Sequence, residues 1–88
     1  MTYRVEVKRT AAKELSKIPK HEQKRIAETI DRLAENLPNP ETTKLKGNNP
    51  FHKIRVGNYR IIYEIQDDIL LIIIVKIGHR KDIYRTLS

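Results

Sequence analysis

The chain of 88 residues contains no cysteine and no tryptophan, and it has only three glycines. Without cysteine it can form neither a disulfide-stabilised scaffold nor a zinc site that uses thiolates. The glycines do not form a phosphate-binding loop of the P-loop or dinucleotide type. The histidines, His21, His52 and His79, lie at unrelated positions without metal-ligand spacing. The sequence therefore predicts neither a metal site nor a cofactor.

Long apolar stretches are also missing. The longest unbroken apolar run is Ile69 to Val75, which is far too short to cross a bilayer. The first residues show no apolar signal region. We therefore expect a soluble, cytoplasmic protein that keeps its first residue and has no membrane partner. A chain of this length is expected to form a single domain over residues 1–88, with room for one hydrophobic core.

Positive charge is what the chain has in excess. It carries 18 Lys and Arg residues against 11 Asp and Glu residues, a formal net charge of +7. Residues 44–88 hold nine of the basic and four of the acidic side chains, so the excess is concentrated there. In the first half both signs alternate along helical sequence, as on a solvated helix surface with ion pairs. The charge favours a polyanionic partner, either nucleic acid or an acidic protein.

The apolar pattern of the first half predicts a strand followed by two helices. Alternation over residues 2–8 indicates a half-buried strand. A short helix follows, for which Thr10 is the candidate cap, and Pro19 ends it. The second helix is expected from about Pro19 or Lys20 to Leu37, where apolar residues recur at helical spacing. The two helices should form a hairpin that packs on a sheet.

The second half has the pattern of antiparallel strands. Residues 51–56 and 59–66 alternate on either side of Gly57-Asn58, a strong signal for a two-residue hairpin turn. Ile69 to Ile77 is apolar on both faces apart from Lys76, as in a central strand. The predicted fold is α+β, with an N-terminal strand, a helical hairpin and then a three- to four-stranded, mainly antiparallel sheet with helices on one face. Apolar surface should remain uncovered on the other face, for a partner protein or for a sheet that curls over itself.

The predicted strands bring basic side chains together on one face of the sheet. Lys53 and Arg55 point to the same side, and Arg60 follows across the hairpin on the strand that pairs with theirs. Arg80 leaves the end of the central strand, and Tyr84 lies four residues later. Arginine forks bind phosphate oxygens bidentately and lysine supplies a point charge, so a phosphodiester would bind there. A solvated basic face without a ligand is the alternative interpretation of the same spacing.

Further basic residues lie around this set. Lys44 and Lys46 add charge at its rim, and Lys81 follows Arg80 directly. Together with Arg55 they are the candidate phosphate-binding residues. His79, next to two cations, is expected to have a structural role rather than a catalytic one.

Three stretches of the sequence resemble the RelE/ParE toxin superfamily: KLKG at residues 44–47, GNYRIIY at 57–63 and GHRKDIYR at 78–85. The resemblance covers the whole chain, since the order of strand, helical hairpin and sheet is also that of the family. It implies a toxin of a type II toxin–antitoxin system. The RelE branch, which contains ribosome-dependent mRNA interferases, has basic residues before the hairpin, an arginine just after it, and an arginine and a tyrosine near the C-terminus. This sequence is similar at each of these positions.

The resemblance implies an endoribonuclease that cleaves mRNA on the ribosome by attack of the 2′-OH on the adjacent phosphodiester. Arg60 would then stabilise the transition state electrostatically. Arg80 would serve the leaving 5′-oxygen, and Lys53 or Tyr84 would be the base or an orienting group. The sequence departs from well-known members in two respects: it has Arg55 where they have lysine, and the spacing from Arg80 to Tyr84 is shorter than in some of them.

The resemblance also implies partners. These are the ribosome, mRNA and a cognate antitoxin that is RelB-like and acidic, in a toxin–antitoxin complex expected to be a higher hetero-oligomer. Two other functions remain open at this point. One is a ParE-like toxin that inhibits DNA gyrase on the same scaffold without nuclease activity. The other is a degenerate member that only binds its antitoxin or RNA.

Overall fold

The computed structural model describes residues 2–35, 43–45 and 47–79. Its elements are strand β1 (Arg4–Val7), helices α1 (Arg9–Ser16) and α2 (Lys20–Glu35), and strands β2 (Thr43–Lys44), β3 (Phe51–Val56), β4 (Tyr59–Gln66) and β5 (Leu71–His79). A 3-10 turn over Asp67–Ile69 connects β4 to β5. The α+β class and the predicted order of strand, helical hairpin and sheet are confirmed. The expected end of the second helix at Leu37 lies outside the described residues.

The five strands form one mixed sheet in the order β1-β5-β4-β3-β2. Strands β2 to β5 pair antiparallel, as predicted. β1 joins the outer edge of β5 and runs parallel to it, with Arg4 opposite Leu71. A parallel pair needs a long crossover, and here all the other elements lie between its two strands in the chain. β5 therefore has a neighbour on each side, which agrees with its apolar sequence.

One hydrophobic core lies between the helices and one face of the sheet. On α2 the buried residues Ile26, Ile30 and Leu33 are spaced by four and three, which puts them on one side of the helix. The cluster that they join contains Ala11, Ile18, Ala34, Ile54, Val56, Ile61, Tyr63, Ile72, Ile74 and Ile77. Truncation of a fully buried isoleucine there to alanine would cost about 2–5 kcal/mol. This core fixes which face of each strand points away from the helices.

The second face of the sheet exposes less apolar surface than its sequence predicts. Ile62 is 0% exposed and Leu71 is 5% exposed, although neither belongs to the cluster formed with the helices. Ile73 and Val75 of β5 are half-buried. Among the described residues, the large apolar side chains with high exposure are Val7 and Ile69. The apolar surface that was expected to remain uncovered is therefore small among the described residues.

The sequence predicts the hairpin turn between β3 and β4 correctly and the first residue of α1 wrongly. The Gly57-Asn58 turn is present, and Gly57 adopts φ 58°, a left-handed conformation that favours glycine. The prediction that Thr10 caps α1 is wrong. The cap position is Lys8, which makes no capping hydrogen bond through its side chain, and Thr10 lies inside the first turn. The backbone of β1 leads directly into the helix, so α1 begins earlier than its best capping residue.

A β-bulge in β5 lies directly before the one lysine of this strand. Ile62 pairs with Lys76 and Tyr63 pairs with Ile74, which leaves Val75 as an extra residue on β5. The Nζ atom of Lys76 lies 2.9 Å from Oε2 of Glu14 on α1. The charge in the apolar strand is therefore paired, and the pair ties α1 to the sheet. No helix in the described segments is long and apolar enough to span a bilayer.

Candidate active site

Three basic side chains lie on the sheet face that points away from the helices. Ile54 and Val56 of β3 are buried in the core, so the alternating residues Lys53 and Arg55 belong to the opposite face. Arg55 is directly opposite Arg60 of β4 in the antiparallel register, and directly opposed residues share a face. We call Lys53, Arg55 and Arg60 the basic face. Their predicted convergence is present in the structure.

Arg60 occupies an unusual position on this face. Its side chain is half-buried, and its Nε atom is buried without a hydrogen-bond partner. On the β5 side it is opposite Gly78, which has no side chain to cover it. A buried donor without an acceptor costs about 1–3 kcal/mol, more for a charged group. An anion whose oxygen could satisfy the guanidinium would recover part of that free energy.

The other two members differ in exposure. Arg55 is exposed, and its Nε donates a hydrogen bond to the carbonyl oxygen of Gly57, 3.2 Å away. Lys53 is half-buried and lies opposite Ile62 on β4. Two arginines directly opposite each other destabilise a sheet by like-charge repulsion. The arrangement is poor for stability and good for binding an anion, because an anion placed between the two side chains attracts both of them and offsets their repulsion.

Of the remaining predicted site residues, the structure describes Lys44 alone. Lys44 on β2 is opposite His52 in the register, so it lies on the side of the sheet that carries the helices. It is exposed there, and the prediction that it lies at the rim of the same cluster is not supported by this register. The other four predicted residues, Lys46, Arg80, Lys81 and Tyr84, lie outside the described residues.

The sequence pattern did not predict a stacked pair of rings that joins β3 to β4. The rings of His52 and Tyr63 are 5.6 Å apart and 19° from parallel. Burial and the nearby Lys44 lower the pKa of His52, while Asp67 opposes this shift. Burial raises the pKa of Tyr63, whose hydroxyl has no hydrogen-bond partner. The signal available in the sequence was the position of His52, which shares the core-facing side of β3 with Ile54 and Val56.

His79 packs against an aromatic ring. Its imidazole meets the ring of Tyr59 edge-on, with centroids 5.9 Å apart and planes 78° from parallel. This is a packing contact of the kind expected for a structural histidine. Among residues 2–35, 43–45 and 47–79, no group of three acidic or histidine side chains is arranged to hold a metal ion.

The chemistry available on the basic face is electrostatic. Arginine remains protonated under all ordinary conditions, so Arg55 and Arg60 can bind a phosphate but cannot act as bases. Fixed positive charge near a phosphorus atom stabilises the extra negative charge of a pentacovalent transition state. A proton acceptor must come from Lys53, from a residue beyond the described segments or from the surroundings. Such a site would be a weak catalyst unless its substrate were held in the reactive geometry.

Comparison with known proteins identifies the relatives of this chain. Residues 5–84 match the family model for the ParE toxin of type II toxin–antitoxin systems, parDE. Toxin RelE3 of Methanocaldococcus jannaschii is 38% identical over 80 residues, which cover 86% of this chain and 89% of that protein.

Solved structures agree across nearly the whole chain. A chain in the archaeal RelE–RelB complex from Pyrococcus horikoshii is 34% identical, with a TM-score of 0.77 and coverage of 91% of this chain and 97% of that one. A chain in the toxin–antitoxin complex RelBE2 from Mycobacterium tuberculosis has a TM-score of 0.81 at 26% identity, with coverage of 91% and 100%. Fold and sequence thus point to the same group of proteins.

Proposed function

The chain belongs to the RelE/ParE family of toxins from type II toxin–antitoxin systems, and from that premise we propose that it is a RelE-type toxin that cleaves mRNA on the ribosome. The observation that carries this proposal is the pairing of Arg55 with Arg60 on the sheet face that points away from the helices, with the buried Nε of Arg60 lacking an acceptor. This geometry suits a bound phosphodiester. The names of the relatives support the RelE branch.

In the proposed reaction the RNA supplies its own nucleophile. The 2′-oxygen forms a bond to the adjacent phosphorus while the bond from phosphorus to the 5′-oxygen breaks. One proton leaves the 2′-OH and one is gained by the 5′-oxygen. Arg60 stabilises the pentacovalent phosphate, and Arg55 holds the strand next to it.

The remaining roles are proposals that rest on the family resemblance. Lys53 or Tyr84 accepts the proton or orients the 2′-OH, and Arg80 assists the 5′-oxygen. Lys46 and Lys81 add phosphate contacts. Because the basic face has no strong base, we expect the isolated toxin to be a poor nuclease. The ribosome would contribute by holding the mRNA in line for attack, which accounts for ribosome dependence.

We also propose a RelB-type antitoxin as the partner that keeps the toxin inactive. The solved relatives include toxin–antitoxin complexes with RelB. A net charge of +7 favours an acidic partner, and opposite charges accelerate association. The association rate with the antitoxin from the adjacent gene should therefore fall as salt rises, while dissociation changes less. We expect the complex to be a higher hetero-oligomer.

A second candidate is a ParE-like inhibitor of DNA gyrase, which the description of the matching family model favours. The two functions predict different products. An mRNA interferase leaves cuts within translated codons, visible by primer extension on a cellular mRNA after induction. A gyrase inhibitor leaves mRNA intact and blocks supercoiling by purified gyrase. Supercoiling inhibition with intact mRNA would replace the proposed function by this alternative.

Arg60→Ala tests the site itself. The variant should fold, with a free energy of unfolding within about 1 kcal/mol of the parent. The loss of side-chain packing is offset because the substitution removes a buried donor that has no partner. It should lose toxicity and mRNA cuts. Arg4→Ala is the matched control, because Arg4 is an exposed arginine on the far edge strand, next to Glu6. If a folded Arg60→Ala variant still cleaves mRNA like the control, the basic face is not the active site.

Tyr84→Phe separates two roles for this tyrosine. The variant keeps an aromatic ring that can stack on a base but removes the hydroxyl. A large loss of cleavage would favour a proton-transfer or hydrogen-bonding role. Near-normal cleavage would favour stacking. Arg80→Ala should abolish cleavage with little change in stability, and a fully active variant would exclude Arg80 from the site.

A further inference from the structure

Two arginines of α2 lie beside the end of the β3–β4 hairpin, near Arg55 of the basic face. A cleft of about 260 Å³ opens between α2 and the hairpin, and its lining includes Arg25, Arg32 and Arg55. Arg25, Thr29 and Arg32 follow each other by four and three residues, so α2 presents them as one stripe beside its core-facing side. The sequence pattern predicts a solvated surface for these helix charges. Arg25 and Arg32 are exposed, as this pattern predicts, and both also lie beside the end of the hairpin.

Two of these guanidinium groups converge on one glycine. Nε of Arg55 donates to the carbonyl oxygen of Gly57 at 3.2 Å. Nη1 of Arg25 packs over the same residue, so closely that a Cβ atom added to Gly57 would lie 3.4 Å from it. Glu22 lies 3.5 Å from Nη1 of Arg25 and helps to hold it there. The two heads are thus positioned by backbone and side-chain contacts at the hairpin turn.

The positively charged lining and the small volume of the cleft favour a small anion as its ligand. Three arginines line the cleft, against the carboxylate of Glu28 in its lining and that of Glu22 beside it, so basic groups outnumber acidic ones among the described residues around it. A single phosphodiester carries one negative charge. The volume is below the range of about 300–1,000 Å³ that is typical of drug-sized ligands, which favours a backbone phosphate over a whole nucleotide. Arginine forks are suited to phosphate oxygens.

Arg55 connects this cleft to the basic face. Arg55 is one of the residues that line the cleft, and its strand position is directly opposite Arg60. We infer that the cleft is a second phosphate subsite, which binds an RNA phosphodiester while the basic face holds the one to be cut. The inference rests on the proposed function. The phosphate has two possible sources with the same chemistry, the bound mRNA strand or ribosomal RNA next to it.

The test is a salt titration of RNA binding by the purified full chain. The first probe is a single-stranded 2′-O-methyl RNA oligonucleotide, which keeps its phosphates but cannot be cleaved because it has no free 2′-OH. The second probe is vacant ribosomes without mRNA. The test variant is Arg25→Gln/Arg32→Gln. The control, Arg9→Gln/Lys24→Gln, removes the same charge from exposed helix positions outside the cleft.

For single strands, the slope of log K against log salt changes by about 0.7 for each phosphate contact. We expect the test variant to have a slope shallower than the control by about that amount with one of the two probes. A change with the oligonucleotide assigns the subsite to mRNA, and a change with vacant ribosomes assigns it to ribosomal RNA. Equal slopes for test and control with both probes would overturn the inference, as would the absence of RNA binding by the parent protein.

Failure of the proposed function would look different. In that case the parent would cut no mRNA in cells, whatever the test variant does in the titration. If cleavage is present and depends on Arg60, but the slopes of test and control are equal, the function stands and the second subsite does not exist. Urea unfolding of both variants shows whether they are folded at the temperature of the titration.

Discussion

The ion pair between Lys76 and Glu14 should contribute measurably to stability. Lys76 is 17% exposed, Glu14 is 32% exposed, and their charged atoms are 2.9 Å apart. The second carboxylate oxygen of Glu14 is already buried without a partner. Lys76→Met keeps the length of the apolar stem and removes the charge. The carboxylate would then have no partner at either oxygen, in a place where water reaches it poorly.

The size of the effect follows from the degree of burial. Breaking a fully buried ion pair costs about 3–5 kcal/mol, whereas an exposed pair contributes about 0–1 kcal/mol. With both groups mostly but not completely buried, we expect Lys76→Met to cost about 2 kcal/mol. For a domain of this size each kcal/mol lowers the melting temperature by about 4–8 °C. Lys76→Met/Glu14→Gln should recover about half of the loss, because no unpaired charge remains.

Urea unfolding followed by far-ultraviolet circular dichroism is the suitable assay, since the chain has no tryptophan. Arg4→Met is the matched control. The Arg4–Glu6 pair is 3.7 Å apart with side chains 68% and 58% exposed, so its loss should cost less than about 0.5 kcal/mol. Equal losses for Lys76→Met and Arg4→Met would refute the reasoning from burial. So would a double variant no more stable than Lys76→Met.

Variants at three other positions test single features by the same assay. Tyr63→Phe removes a buried hydroxyl without a partner, so stability should stay equal or rise by about 1 kcal/mol, and a clear loss would reveal a hidden partner. Burial raises the pKa of Tyr63, so the parent should lose stability as pH rises above about 10, and the variant should lose less. Burial and Lys44 lower the pKa of His52, so stability should fall as pH drops below about 6.5, and His52→Gln should reduce this loss. Gly57→Ala should cost about 1–2 kcal/mol at φ 58°, and Gly57→Asn should cost less.

Features set by local periodicity could be predicted from the sequence. The apolar stripe on α2 and the alternation on either side of Gly57 both depend on residues within four positions of each other in the chain. Both features are present in the structure. The same alternation correctly put Arg55 and Arg60 on one face, because a hairpin turn of known length fixes the register. The described part of the candidate site therefore follows from the strand pattern and the turn alone.

Features set by distant contacts could not be predicted. Lys44 lies in a two-residue strand after a loop, and a shift of one residue in its pairing would move it to the other face of the sheet. The partner of Lys76 lies on α1, and a bulge directly precedes this lysine; the apolar run of β5 signals neither. Arg25 resembled an ordinary helix-surface arginine, since only the position of the hairpin over α2 forms the cleft around it.

The parallel pairing of β1 with β5 has a consequence for how the protein folds. Arg4 meets Leu71, so the first strand finds its partner only after every other described element has been made. Such distant contacts carry a large loop-closure entropy and slow the folding of small domains. During synthesis the helical hairpin and the β3–β4 hairpin can form from local contacts, but β1 has no edge to join until β5 has been made. Newly made chains should therefore pass through a period in which the basic face already exists on an incomplete sheet.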